Sequence, residues 1–469
     1  MKVTLIQVPL PTSLLLPEIF AQGLRYMPLN IAYLGAVLEQ ANHEVKIVDI
    51  NIMMMPVEQY AMKYLDELDA DIVGLSCTTN SYIECMKLAE LIKKRYPETL
   101  IIVGGCHVTF MAGEALEECE YFDIIVRGEG ENTIVALVDC IEHLKPLSLV
   151  DGISYRLGNE IIHNKDAALI KDLDTIPFPA RHLLQTDNYP AHGIVSSRGC
   201  PRKCIFCSAG AMGGGRYRIR SAQNIVDELK TIKDDNKSIF FYDNTFSTHI
   251  KKSIEICQQI IKEEIDIKWQ VELRADTVTE EFIRILSEAG CEAIQFGVES
   301  GNEEILKEIK KYITKEDVRK GASIALSHGL GVACSFIVGH PSDTEETLKE
   351  TLEFMIELKK MGCDVYPGII ASAYGRDSGA RIGDGVVFIS GGVASGGSMK
   401  HWETVVKTDS EIIVHDIPRA AVEVGLDTCE GMEYEIIETP PNERREQLEK
   451  EKSGLLTRLA EIEKELEAL

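Results

Sequence analysis

The chain has 469 residues, 45% hydrophobic and 26% charged, a composition typical of a folded globular protein that excludes a mainly disordered or fibrous one. Its net charge of −26 argues against nonspecific binding to nucleic acid or to an anionic membrane surface, since both need an excess of lysine and arginine. No segment approaches the roughly 18 consecutive apolar residues of a membrane span. The apolar start of the chain lacks a signal-peptide pattern, so we expect a cytoplasmic protein.

Residues 1–145 alternate short apolar runs with helix-like segments. The runs are rich in β-branched residues and unbroken by polar ones, which is typical of parallel strands buried on both faces. This pattern predicts a doubly wound α/β domain of the flavodoxin-like or Rossmann-like kind, with its ligand beyond the carboxyl ends of the strands. Small residues that would let a large flat ligand approach the backbone occur there, at Ser76, Thr78, Gly104, Gly105, Gly128 and Gly130.

Residues 146–190 are predicted to be a linker that contains one small hairpin. A second series of strands and helices follows over residues 191–370. Five or six βα units fit a partial (β/α)6 barrel, in which active-site residues lie at the carboxyl ends of the strands. Candidate residues at these ends are a cysteine cluster, Asp243, Arg274, Glu299, Gly339 and Pro341.

The sequence changes character after residue 370. Residues 371–440 are rich in glycine and are predicted to form a small β-module of unknown role. Residues 441–469 carry leucine and isoleucine on a three-four repeat, the heptad pattern of a helix that forms a coiled coil or docks on a partner surface. Self-association through these heptads is therefore one interpretation.

Three cysteines, Cys200, Cys204 and Cys207, fall within eight residues of one predicted loop. Such a cluster in a reducing compartment does not indicate a disulfide framework. The spacing leaves three alternatives: zinc with a distant fourth ligand, an iron–sulfur cluster with one open iron, or a loop without metal. The sequence offers no second closely spaced cysteine pair downstream to complete a structural zinc site, and an open iron is what a cluster needs to bind and reduce a substrate.

The segment SSRGCPRKCIFCS, residues 196–208, resembles the radical S-adenosylmethionine enzymes, whose signature is CxxxCxxC just after the first barrel strand. Later segments follow in the family's order and spacing. The resemblance implies that the three cysteines hold a 4Fe–4S cluster, whose open iron binds S-adenosylmethionine and reduces it to give a 5′-deoxyadenosyl radical. It also implies that S-adenosylmethionine is bound by Phe206, Asp243, Arg274, Glu299 and Ser300, with Gly339 and Pro341 shaping the adenine wall. Structural roles are the alternative: Asp243 would cap a helix, and Arg274 would pair with Glu299.

The first domain resembles the cobalamin-binding domain that precedes the barrel in one branch of this superfamily, through segments such as LIIVGGCHVTFMAGEAL. Together the two resemblances cover roughly residues 1–370. The Asp-x-His-x-x-Gly motif, which supplies a cobalt ligand in methionine synthase-like domains, does not occur in the sequence. The absence of this motif is compatible with two alternatives. The domain binds cobalamin without a histidine ligand from the protein, or it has lost its corrinoid.

The resemblance implies a radical S-adenosylmethionine enzyme, and we predict a cobalamin-dependent methyltransferase that acts on an unactivated carbon. A radical cyclase, rearrangement or coupling enzyme with a vestigial cobalamin domain is the first alternative. A methylthiotransferase-like or cofactor-bearing scaffold protein is the second. An external electron donor of the flavodoxin or ferredoxin type is expected, and no nucleic-acid partner is. The substrate, a small molecule or a lipid, is not identified by any residue.

Overall fold

The computed structural model of the chain describes residues 1–10, 26–232, 238–340 and 342–369, and beyond them only short strands between residues 372 and 415. A seven-stranded sheet forms the centre of the N-terminal part. Its strands are β1 (Lys2–Gln7), β2 (Glu44–Asp49), β3 (Ile72–Ser76), β4 (Leu100–Gly104), β5 (Ile124–Val126), β6 (Ile153–Leu157) and β7 (Glu160–His163). They lie in the order β2-β1-β3-β4-β5-β6-β7, and the first five are parallel. The order 2-1-3-4-5 is that of a flavodoxin-like doubly wound sheet, so the predicted class of this part is confirmed.

Helices cover both faces of this sheet. They are α1 (Leu29–Gln40), α2 (Ile50–Met53), α3 (Val57–Tyr64), α4 (Tyr82–Arg95), α5 (Cys106–Phe110), α6 (Ala112–Glu118) and α7 (Glu131–Glu142). On β3, Val73 and Leu75 join the apolar cluster under α3 and α4, while Ile72 joins the cluster under α1 and α7. Alternate side chains of one strand are thus buried on opposite faces, which explains why the strands read as continuous apolar runs.

The predicted linker is packed rather than extended. Strands β6 and β7 run antiparallel and add the hairpin to the edge of β5, where Ile124 lies opposite Tyr155. This pairing covers a strand edge that would otherwise present unpaired backbone groups. Farther along, Leu173, Ile176 and Leu184 pack in one apolar cluster with residues of α1.

A second sheet forms the centre of residues 191–369. Its strands are β8 (Ala191–Ile194), β11 (Ser238–Phe241), β12 (Trp269–Leu273), β13 (Cys291–Glu299), β14 (Gly331–Val338) and β15 (Asp364–Ile369), and a separate short ribbon pairs β9 (Ser197–Arg198) with β10 (Arg218–Ile219). All six strands of the sheet are parallel and lie in chain order. Sequential parallel strands are those of a partial (β/α)6 barrel, which confirms the second half of the predicted fold.

Most helices of this half begin at a side-chain cap. The helices are α8 (Ala209–Met212), α9 (Ala222–Lys230), α10 (Ile250–Lys262), α11 (Glu280–Glu288), α12 (Glu303–Glu308), α13 (Lys315–Ser327) and α14 (Glu345–Lys360). Five of them follow a residue whose side chain accepts a backbone N–H of the first turn: Ser221, Thr279, Asn302, Thr314 and Thr344. Such caps satisfy orphan N–H groups and fix where each helix starts after its strand.

A buried hydrogen bond ties the first sheet to the segment that enters the barrel. The hydroxyl of Tyr189 donates to Oδ2 of Asp49, at the end of β2, over 2.7 Å. The backbone N–H of Ile52 donates to the other oxygen over 3.2 Å. Burial nevertheless raises the pKa of Asp49 to about 6, because two neutral donors do not replace the water that a carboxylate loses.

We expect Asp49→Asn to flatten the pH dependence of stability. An acid whose pKa is raised by folding contributes stability that is fully present below its unfolded pKa, near 4, and is lost as the pH rises through 6. The neutral variant does not undergo this loss. Relative to the wild type, its free energy of unfolding should therefore increase by about 2 kcal/mol between pH 4 and pH 7. Thermal unfolding at both pH values measures the gain. Asp66→Asn, at an exposed side chain, is the control; parallel profiles for Asp49→Asn and wild type would contradict the expectation.

The remaining predicted segments are described only in part. Within 371–440, the strands β16 (Ser372–Ala373), β17 (Arg381–Ile382) and β18 (Gly385–Val387) form one small sheet, and β19 (Thr404–Lys407) and β20 (Ile412–His415) form another. The heptad segment 441–469 lies outside the described residues. Among the helices that the structure does describe, we find none with the length and apolar character to traverse a bilayer.

Candidate active site

The cysteine cluster lies in the loop after β8, as predicted. Gly199 opens this loop at a φ of +82°, and a Cβ there would come within 2.0 Å of the carbonyl oxygen of Arg216. The N–H of Cys207 donates to the carbonyl of Cys204 over 3.2 Å, which folds the loop into a tight turn. Across the described residues, no three Cys, His, Asp or Glu side chains converge on one metal-ion position. A cubane cluster does not need such convergence, because each thiolate binds a different iron.

Asp243, just beyond β11, holds the start of the cysteine loop. It is fully buried, and it accepts hydrogen bonds from Ser196 Oγ over 2.6 Å and from Ser197 Oγ over 2.7 Å. The N–H of Ser197 donates to the same carboxylate. Burial raises the pKa of Asp243 to about 6 despite these donors. Both oxygens are used within the protein, so the visible role of Asp243 is to position the loop; its predicted contact with S-adenosylmethionine stays a prediction.

Lys311, which no sequence motif singles out, lies at the centre of the charged groups. Its Nζ donates to Oε1 of Glu299 over 2.7 Å, and both side chains are about nine-tenths buried. Arg274 forms a two-point ion pair with Asp276 and donates to the carbonyl of Lys311 over 2.9 Å. The alternative that Arg274 pairs with Glu299 is therefore wrong. Glu299 has a φ of +74° at a strand irregularity, a strained backbone of the kind found at functional sites.

The loop that carries Lys311 also contacts the cysteines. The N–H of Ile205 donates to the carbonyl of Ile309 over 3.1 Å, and the Cys204 thiol donates to the carbonyl of Lys310 over 3.7 Å. Burial raises the pKa of the Cys204 thiol, while the charges of Lys311 and Arg274 oppose that rise. The site therefore brings cationic charge to the thiols, which suits anionic sulfur ligands.

Phe206, in the cysteine loop, lies near the turn that contains Gly339 and His340. Gly339 has a φ of +93°, and its N–H donates to Asp343 over 3.0 Å. The next residue, His340, is buried with neither ring nitrogen hydrogen-bonded, and its ring centroid lies 6.4 Å from that of Phe206. Ser300 is buried too, but its hydroxyl lies 3.2 Å from that of Thr351, within the protein. Pro341 lies outside the described residues.

The predicted small residues of the first domain all lie at the carboxyl edge of its sheet. Gly105 has a φ of +117°, and a Cβ there would come within 2.3 Å of the carbonyl oxygen of Cys77. Thr109 joins two loops, because its hydroxyl donates to Gly105 and accepts the N–H of Gly128. A Cβ on Gly128 would meet no atom within 4 Å. The other members of this edge are Ser76, Thr78, Gly104 and Gly130.

Ion pairs connect this edge to the cysteine loop. Glu129, between Gly128 and Gly130, binds Arg198 over 3.3 Å and Arg218 over 2.7 Å. Arg198 also pairs with Glu131 over 2.5 Å. Because Arg198 lies two residues before Cys200, these contacts place the carboxyl edge of the first sheet beside the cysteine loop of the second.

The residues present fit the cofactors that the sequence resemblance implies. Three thiols with cationic neighbours are the donor set of an iron–sulfur cluster. The unpaired ring nitrogens of His340 and the turn at Gly339 offer polar groups beside Phe206, where S-adenosylmethionine is expected. Gly105 and Gly128 leave bare backbone at the edge of the first sheet, which suits a large planar ligand such as cobalamin.

Several of these residues were not predicted from sequence. Lys311 stands in the run KEIKKYITK, where a pair of lysines after a helix reads as an exposed surface. Its partner Glu299 lies 12 residues earlier, on the other side of α12, so no helix or strand periodicity indicates the ion pair. Glu129 and Glu131 belong to the segment RGEGENT, where glutamates between glycines indicate an exposed loop rather than buried ion pairs.

Comparisons with known proteins agree with this arrangement. A family model described as the radical SAM superfamily matches residues 194–355, and one described as the B12 binding domain matches residues 22–138. An uncharacterized methyltransferase from Pyrococcus horikoshii is 34% identical over 354 residues, which is 74% of this chain and 76% of that protein. The anaerobic magnesium-protoporphyrin IX monomethyl ester cyclase of Rubrivivax gelatinosus is 29% identical over 340 residues, 69% of this chain and 61% of the cyclase.

Among solved structures, the radical S-adenosylmethionine methyltransferase TsrM of Kitasatospora setae, with cobalamin and a [4Fe–4S] cluster bound, has a TM-score of 0.66. The match covers 79% of this chain and 72% of TsrM at 17% identity, so it shows a shared fold. The chain thus belongs to the radical SAM superfamily, in the branch that carries an N-terminal B12 binding domain, and is an enzyme of the kind that uses a [4Fe–4S] cluster, S-adenosylmethionine and cobalamin.

Proposed function

We propose that the enzyme transfers a methyl group from S-adenosylmethionine to an unactivated carbon of its substrate, with cobalamin as the carrier. The observation that carries the proposal is the set of ion pairs from Glu129 and Glu131 to Arg198 and Arg218. They place the small-residue edge of the B12 binding domain beside the cysteine loop. A substrate between the two edges would be within reach of both cofactors.

When bound, the cluster supplies the electron that cleaves S-adenosylmethionine and cobalamin supplies the methyl group. The chain's own residues position these groups. Asp243 holds the cysteine loop through Ser196 and Ser197. Lys311 holds Glu299 and Arg274 in place next to the cysteine loop. The name of the Pyrococcus relative, a methyltransferase, supports this assignment.

The test is an anaerobic reconstitution with iron, sulfide and hydroxocobalamin, followed by metal analysis after desalting. We expect about four irons and about one cobalt per chain. Addition of S-adenosylmethionine and a reductant should then yield both 5′-deoxyadenosine and S-adenosylhomocysteine. Cobalamin-loaded protein that forms 5′-deoxyadenosine but no S-adenosylhomocysteine would contradict methyl transfer.

A radical cyclase is the second candidate function. The observation in its favour is the 29% identity with the cyclase of Rubrivivax gelatinosus, over 69% of this chain. Incubation with methyl-labelled S-adenosylmethionine, followed by isolation of the product, separates the two candidates. A methyltransferase places the labelled methyl group in the product, whereas a cyclase leaves the product unlabelled.

A further inference from the structure

The inner face of the second sheet, which we call the lumen face, carries polar and aromatic side chains. Trp269, Val271 and Leu273 of β12 are buried in the apolar core on the helix side. The alternate residues Gln270 and Glu272 therefore point to the opposite side. The register places Phe240 beside Gln270, and Glu272 beside Gln295 of β13. The lumen face is thus lined by Phe240, Tyr242, Gln270, Glu272 and Gln295.

Glu272 has no partner, whereas the other carboxylates of the site do. Asp243 accepts from two serines, Glu299 is paired with Lys311, and Asp276 is paired with Arg274. In the described part of the chain, Glu272 makes neither a hydrogen bond nor an ion pair. Lys311 is near enough to act on it electrostatically but is held by Glu299. The lumen face therefore contains a carboxylate whose counter-charge the protein does not supply.

Aromatic rings stand beside this carboxylate. Tyr26, just before α1, packs edge-on against Tyr242, with ring centroids 6.0 Å apart, and the ring of Phe240 lies 5.4 Å from that of Tyr242. The ring of Tyr242 covers Gly193 so closely that a Cβ there would be 2.3 Å from it, which fixes the ring's position. The hydroxyl of Tyr26 is buried without a hydrogen-bond partner, close enough to Glu272 for their charges to interact.

A carboxylate beside the face of an aromatic ring is the environment that binds an organic ammonium group, through charge pairing and cation–π attraction. We propose that the enzyme's substrate carries a basic amine and that the lumen face holds this amine as an ammonium between Glu272, Tyr26 and Tyr242. The inference rests on the proposed function, because it takes the space between the two domains as the place where substrate meets both cofactors.

The protonation of Glu272 gives the site a pH signature. Burial raises the pKa of Glu272 to about 8; Lys311 lowers it, and Glu299 and Asp243 raise it further. Tyr26 is the remaining titratable group whose charge interacts with Glu272, and its own pKa is raised by burial. An arriving ammonium ionises Glu272 and releases one proton. Ammonium affinity should therefore rise about tenfold per pH unit below pH 8.

Benzylamine is the probe, with benzyl alcohol as its neutral analogue, titrated calorimetrically into the cluster- and cobalamin-reconstituted protein with S-adenosylmethionine bound. We expect benzylamine to bind and benzyl alcohol not to. Glu272→Gln should raise the Kd of benzylamine about tenfold or more and abolish its pH dependence. Tyr26→Leu, which removes the ring, should raise the Kd about threefold. Glu292→Gln, at an exposed glutamate of β13, is the matched control and should change nothing.

Iron and cobalt contents of each variant show that it is folded and loaded. Equal affinities for benzylamine and benzyl alcohol would overturn the proposal, as would an unchanged Kd in Glu272→Gln or a Kd that does not vary with pH. The proposed function fails by a different readout: it fails when cobalamin-loaded protein produces no S-adenosylhomocysteine, whatever benzylamine does. Formation of that product with a substrate that has no amine, together with absent benzylamine binding, would remove only this inference.

Discussion

Replacement of Cys204 by alanine should abolish the cluster and leave the B12 binding domain intact. Cys204 is the central thiol of the loop, and the N–H of its neighbour Ile205 is bound to the carbonyl of Ile309. Loss of one of three thiolates removes a direct ligand, and the loop contains no fourth cysteine to replace it. Because loss of an outer-shell partner alone costs about 10–100-fold, we expect 5′-deoxyadenosine formation to fall by more than about 100-fold.

Iron content, the visible spectrum and 5′-deoxyadenosine yield measure this effect after anaerobic reconstitution. The matched control is Cys106→Ala, which removes a thiol of the first domain outside the loop. The control should retain iron and activity, and both variants should retain cobalt. A Cys204→Ala protein that still forms 5′-deoxyadenosine would show that the cysteine loop is not the cluster site.

Replacement of Lys311 by methionine should strongly destabilise the barrel and impair the use of S-adenosylmethionine. The variant keeps the length of the side chain but leaves the carboxylate of Glu299 buried without its cation. Removing one partner of a buried ion pair costs about 3–5 kcal/mol, whereas replacing both partners by neutral groups is far less costly. The double variant Lys311→Met/Glu299→Gln should therefore recover much of the stability that the single variant loses.

Chemical unfolding measures the stability of each variant, and equilibrium binding of S-adenosylmethionine to reconstituted protein measures the site. Lys310→Met is the matched control, since Lys310 is the adjacent lysine and is exposed. It should behave like the wild type. Equal stability of Lys310→Met and Lys311→Met would mean that the ion pair with Glu299 contributes nothing measurable. Rescue of stability without rescue of S-adenosylmethionine binding would assign Glu299 a direct role in the site.

The strands, the helices and the cysteine loop can be predicted from local sequence patterns. The 2-1-3-4-5 sheet and the sequential barrel follow from alternating apolar runs and helical segments, because the periodicity of burial differs between a doubly covered strand and an amphipathic helix. Cys200, Cys204 and Cys207 form a motif because metal ligands on one short loop must have a fixed spacing. Gly105 and Gly199 occupy turns where a Cβ would overlap backbone atoms, so their identity also follows from local geometry.

The partners of the site's charged groups depend on tertiary structure. Arg274 and Glu299 lie at the ends of adjacent strands, and the sequence permits them to pair with each other. The fold instead brings Lys311 back to Glu299 and turns Arg274 to Asp276. Likewise, Asp243 could cap a helix, but the register of β8 and β11 presents it to Ser196 and Ser197. The contacts of Asp243 and Glu299 join groups that are 12 or more residues apart in sequence. Asp276 is only two residues from Arg274, but no local periodicity distinguishes it from Glu299 as the partner.

Local patterns in the sequence are enough to identify the two α/β units and the cysteine loop, and its motifs carry the family resemblance that the comparisons confirm. The three-dimensional contacts were needed to show that the two units meet through Glu129, Glu131, Arg198 and Arg218, and which carboxylates are left unpaired. Strand and helix formation depend on local patterns of apolar side chains. The charge balance of a buried site depends instead on which distant groups come within a few ångströms of one another.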